Sequence, residues 1–143
     1  MIYKATRLIK QEMDDAGIKY AMHESEERSY ISAGFGIDNG PSVRVDFISR
    51  DDDNDVAMRV FGLLNNVAAD KADAVLKVVN ECNSSYRFLK FVFDKDNDVN
   101  IEYDFPTSLG DKEVGRTACV LFANVWSIAE KVYPEFMKAI WGI

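Results

Sequence analysis

The segment from Tyr86 to Phe105, YRFLKFVFDKDNDVNIEYDF, constrains the fold more than any other stretch of the chain. In its second half Val99, Ile101, Tyr103 and Phe105 alternate without a break with Asp98, Asn100, Glu102 and Asp104. A period of two places these sets on opposite faces of a β-strand. The sheet must therefore have one buried and one wet face, with helices covering the buried one. Leu89, Phe91 and Phe93 share a parity in the first half and supply the partner strand. A one-residue slip would turn every apolar side chain to the wrong face, so the register can be read. Phe93 falls opposite Val99, Phe91 opposite Ile101 and Leu89 opposite Tyr103, with Lys90 across from Glu102 on the wet side. This register needs an odd loop, Lys95-Asp96-Asn97, with Asn97 in the left-handed conformation of bulged hairpins. Asn97→Gly is then expected to be tolerated or mildly stabilising.

The 143 residues suit a single domain over 1–143, long enough to bury about 70% of the unfolded chain's surface in one core. A net charge of −7, from 24 acidic against 17 basic residues, disfavours nucleic acid and anionic membrane as partners, because both demand a basic footprint. A protein partner with basic groups fits better. Cys82 and Cys119 lack metal-ligand spacing and are expected as reduced thiols in helices, which fits a cytoplasmic protein. The first residues lack the apolar run of a signal peptide, and the apolar stretch Ala118 to Ala129 is too short to span a bilayer.

Taken in order, Ala5, Leu8, Ile9, Met13 and Ala16 trace a helical face that Gly17 ends. Ile18, Tyr20 and Met22 then predict a first strand. In the second, Ile31, Ala33, Phe35 and Ile37 face one way, while Ser32, Gly34 and Gly36 leave the other face nearly bare. Those three residues permit twist or the close approach of a ligand. The turn Asp38-Asn39-Gly40-Pro41 leads to a third strand with Val43, Val45 and Phe47. The segment Val56 to Asn66 reads as a fourth strand, with a helix as its rival. Ala72, Val75, Leu76, Val79 and Cys82 recur at helical spacing, as do Val114 to Val132 later on. Pro134 should kink this last helix or begin a separate one carrying Phe136, Ile140 and Trp141. The fold class is α+β: an antiparallel sheet of five to six strands with three helices, in the order α-β-β-β-β-α-β-β-α.

No chemical motif stands out. His23 is the only imidazole and reads as an ordinary surface residue, which leaves a serine or cysteine nucleophile without another base. Asp94-x-Asp96-x-Asp98 imitates the start of a calcium loop, but Val99 stands where glycine is required and Phe105 where the bidentate glutamate belongs. The cluster Asp51 to Asp55 reads as a solvated turn. No metal and no cofactor is expected. The row Asp98, Asn100, Glu102, Asp104 is a candidate partner surface, and Ser32, Gly34 and Gly36 a candidate close-approach face for a small molecule. A hydrolase using the carboxylates is the remote alternative.

Several segments together, Ser42-Val-Arg-Val-Asp-Phe, Asp53-Asn-Asp-Val-Ala-Met-Arg-Val-Phe, Asn80-x-x-Asn83-Ser-x-Tyr-Arg-Phe-x-Lys-Phe and Val99-Asn-Ile-Glu-Tyr-Asp, make the chain resemble the YbjN-like family over roughly Ile2 to Trp141. The family is labelled as bacterial sensory transduction regulators. The resemblance implies a fold similar to type III secretion chaperones, which are small, acidic and often dimeric, so a homodimer joins the expectations. It carries over no site residue. The function expected is a non-enzymatic protein-binding module, a regulator or a chaperone-like adaptor.

Overall fold

Alternation of apolar and polar residues, read above in one hairpin, runs across a six-stranded antiparallel sheet. The computed structural model describes residues 1–142. Its strands are β1 (Ala21–Glu24), β2 (Arg28–Gly36), β3 (Ser42–Arg50), β4 (Asp55–Leu64), β5 (Lys90–Phe93) and β6 (Val99–Pro106). They lie side by side in the order β1-β2-β3-β4-β6-β5. The helices are α1 (Lys4–Ala16), α2 (Ala72–Ser85) and α3 (Asp111–Trp141), so the chain order is α-β-β-β-β-α-β-β-α. β4 is a strand, not a helix. Its alternation pairs it with β3 and β6, where Val56, Met58 and Val60 reach the core.

The β5–β6 register is the one the sequence dictates: Phe93 pairs with Val99, Phe91 with Ile101 and Lys90 with Glu102. Asn97 closes the loop at φ 60°, and the Asn97 amide donates to the Asp94 carbonyl at 3.0 Å. The Asn97 side chain also donates to the Val67 carbonyl at 3.2 Å. Glycine there would fit the backbone but lose this bond, which offsets part of the gain.

One face of the sheet carries the core. Ile31, Ala33 and Phe35 of β2, Val45 and Phe47 of β3, and Val99, Ile101 and Phe105 of β6 meet Ile9 and Met13 of α1, Val75 and Val79 of α2, and Val125, Ala129 and Phe136 of α3. Each large side chain so buried contributes about 1.5–3 kcal/mol. All three helices therefore lie on this face.

α1 has no capping side chain of its own. Asp53, in the β3–β4 turn at φ 50°, does the capping from elsewhere. Its carboxylate accepts the Lys4 amide at 3.1 Å and the Ala5 amide at 3.4 Å, at the end of the helix where a negative charge is favoured. The Thr107 hydroxyl donates to the carbonyl of the same Asp53 at 2.9 Å. At its other end α1 stops at Gly17, φ 71°.

Four expectations need correction. β1 begins only at Ala21, because Ile18 and Tyr20 pack against the core as chain leaving α1. Leu76 is 51% exposed; α2 buries Val75, Val79 and Cys82 on its core side and leaves Leu76 outside that stripe. No separate final helix begins at Pro134, since α3 runs 31 residues straight through it. Val132 and Phe136, buried on either side, hold the helical path although proline lacks the amide that would bond the Glu130 carbonyl. Trp141, expected to dock, is exposed.

Candidate functional site: an open sheet face and one free edge

Any sheet that is not a barrel has two edges whose backbone groups can pair with another chain. In this sheet the edges differ. β5 is sealed: the Asn83 side chain, from α2, accepts the Phe91 amide at 2.7 Å and donates to the Phe91 carbonyl at 2.9 Å. One amide thus imitates a neighbouring strand. β1 pairs with β2 alone, and all four of its residues are exposed. His23 there stacks on Tyr30 with ring centroids 4.7 Å apart, and Met22 is 40% exposed.

The face opposite the helices is charged in a regular way. Asp46, Arg59, Glu102 and Lys90 lie in one row across β3, β4, β6 and β5, alternating in sign. The Asp46 carboxylate is buried, accepts the Ser32 hydroxyl at 2.6 Å and lies 3.1 Å from Arg44 Nε. Arg59 Nη1 is 2.6 Å from Asp104 Oδ1, and Lys90 Nζ is 3.5 Å from Glu102 Oε1. Four of the seven arginines, Arg28, Arg44, Arg50 and Arg59, share the parity of this face, so it is far less acidic than the chain as a whole.

The candidate surface residues fall into two groups. Glu102 and Asp104 are together on the open face, each beside a cation. Asn100 is buried rather than wet, because β4 bulges between Val60 and Leu64 and turns the Gly62 amide onto Asn100 Oδ1 at 2.8 Å. The Asp98 carboxylate accepts the Asn66 amide at 2.8 Å. Of the close-approach set, Ser32 is committed to Asp46, whereas Gly34 and Gly36 are exposed.

The calcium-like aspartates have structural work. Asp94 Oδ1 accepts the Asp96 and Asp98 amides at 2.9 and 3.0 Å, and Oδ2 accepts Asn100 Nδ2 at 2.8 Å. The Asp98 amide above all, then Asn100, hold this carboxyl below the usual carboxylate range. Among the described residues no group of three metal-ligating side chains comes together. Burial pushes both thiols, Cys82 and Cys119, up to about 11, which leaves them protonated and unreactive near neutrality. Sequence reasoning missed Asn83 and Asp53; neither lies on an apolar period, and the only signal was the polar residue itself.

Fold and surface together define a class: a small α+β module with a one-sided antiparallel sheet, one sealed edge and one open edge. Over residues 7–137 the chain matches the YbjN family, described as "Putative bacterial sensory transduction regulator". The chain belongs to that family. No curated protein matches it. Among the described residues no helix is long and apolar enough to cross a membrane.

Proposed function

We propose that the protein is a non-enzymatic regulator that binds a polypeptide partner by strand addition along β1. The observation that carries this reading is the difference between the edges: Asn83 occupies the Phe91 amide and carbonyl in the middle of β5, whereas among the described residues β1 has no neighbour beyond β2. Main-chain bonding along such an edge supplies affinity, and flanking side chains supply selectivity. Here those are Met22 on the helix side and His23 with Tyr30 on the open face. The family's description as a regulator is consistent with it. So is the state of the usual nucleophiles: the lone imidazole is stacked on Tyr30 and both thiols are protonated.

A photo-crosslinking residue at position 22 of β1, compared with one at position 92 of β5, tests the proposal in lysate of the source organism. The expected result is one dominant polypeptide adduct from position 22 and none from position 92. Adducts from position 92 alone, or none from either, would overturn it. In the same assay Glu102→Lys with Asp104→Lys should leave the adduct intact, because these residues lie across the sheet from β1.

A further inference from the structure

Charged residues that face each other across the sheet are opposite in sign at Asp46–Arg59, Arg59–Glu102 and Lys90–Glu102. Arg28 and Arg50 break this rule, standing directly opposite each other on β2 and β3. Like charges so placed destabilise a sheet, and a chain with 24 acidic residues has ample means to neutralise them. Among the described residues neither guanidinium has a carboxylate within 4.0 Å. Arg28 lies over the Tyr30 ring, 5.3 Å from its centroid, which fixes it on the open face. Both arginines line a cleft of about 310 Å³ with Ser25, Glu27 and Asp51.

We propose that Arg28 and Arg50 form a binding site for a phosphate-type dianion: a phosphate monoester, carried by a small molecule or by a phosphorylated side chain. Guanidinium forks match the oxygens of a tetrahedral phosphate. A phosphate with about −1.5 to −2 charge at pH 7 offsets both cations, where a single carboxylate offsets one. Glu27 and Asp51 line the same cleft and oppose any anion, a dianion most, so binding requires that both guanidiniums engage the phosphate oxygens directly. Arg28 lies on the Tyr30 ring that also flanks β1, whereas Arg50 stands on β3, one strand further from that edge, so Arg50→Gln is the variant that separates this site from strand addition.

The test uses the full chain at low ionic strength, titrated with inorganic phosphate and, in parallel, with sodium chloride at matched ionic strength. Thermal melts and the Nε signals of Arg28 and Arg50 are followed. The expected result is a saturable rise in Tm and saturable Nε shifts. Arg28→Gln and Arg50→Gln each weaken them about tenfold or more, the loss expected for one hydrogen bond to a charged group. Without phosphate, Arg50→Gln melts at or above the wild type, because the facing charges are relieved; Arg28→Gln also gives up the contact with Tyr30 and is read by binding alone. Tighter binding of a phosphoserine peptide than of inorganic phosphate assigns the site to a modified side chain, and equal affinity assigns it to a small phosphate monoester. No saturable response, or one that survives both substitutions, would overturn the proposal. So would an Arg50→Gln variant that melts below the wild type in the absence of phosphate.

Discussion

Gly115 is where α1 and α3 touch most closely. A Cβ there would stand 2.7 Å from the Leu8 carbonyl oxygen and 2.8 Å from Glu12 Cβ, so even one methyl group forces the helices apart. Overpacking of this kind costs about 1–3 kcal/mol, while alanine's helix preference returns up to about 1 kcal/mol. Gly115→Ala is therefore expected to lose about 1–2 kcal/mol in urea denaturation. Asp94 makes a different prediction. Its native carboxyl titrates below the ordinary value, mainly because the Asp98 amide donates to it. The stability it adds is therefore complete above the ordinary carboxylate value and is lost as pH falls through the lower native one. Urea midpoints measured below pH about 4 should fall more steeply for the wild type than for Asp94→Asn.

At the level of elements, Asn83 decides which edge of the sheet is open. Asn83→Ala leaves the Phe91 amide and carbonyl unpaired, at a cost of about 1–3 kcal/mol, and it exposes a second edge. The expected outcome is a lower Tm with concentration-dependent association, read by light scattering during the melt. The strands themselves were legible in the sequence because each carries its pattern locally: Val43, Val45 and Phe47, or Val99 and Ile101, mark their faces with no knowledge of the neighbours. Asn100 looked wet for the same reason, since nothing in its own strand reveals that β4 bulges opposite it. Leu76 fits the helical period as well as Val75 does, and only the way α2 is rotated on the core separates them. The acidic row of β6 was read with Lys90 of β5 across from Glu102, as the structure has it, but without Arg59 of β4, which pairs with Asp104 from the other side. Pattern shows which way a residue faces. Across a tight hairpin such as β5–β6 it also shows what stands opposite, but between strands far apart in sequence, such as β4 and β6, it does not.

For the molecule as a whole, one continuous core joins the three helices to the sheet, which predicts a single cooperative unfolding transition. Trp126 is partly exposed but stacks on buried Phe35 with centroids 5.3 Å apart, so in a Trp141→Phe variant its fluorescence reports packing at the rim of the core. That signal and far-UV circular dichroism should give coincident urea curves, and two separated transitions would reveal a second folding unit. The cap on α1 carries this cooperativity into time. On the ribosome α1 emerges before the sheet, yet the carboxylate that caps it belongs to Asp53, 49 positions after Lys4, and the hydroxyl that ties down that turn belongs to Thr107, later still. The helix thus gains its last stabilising contacts only when Thr107 has been synthesised, and until then it is an amphipathic peptide with its apolar side bare.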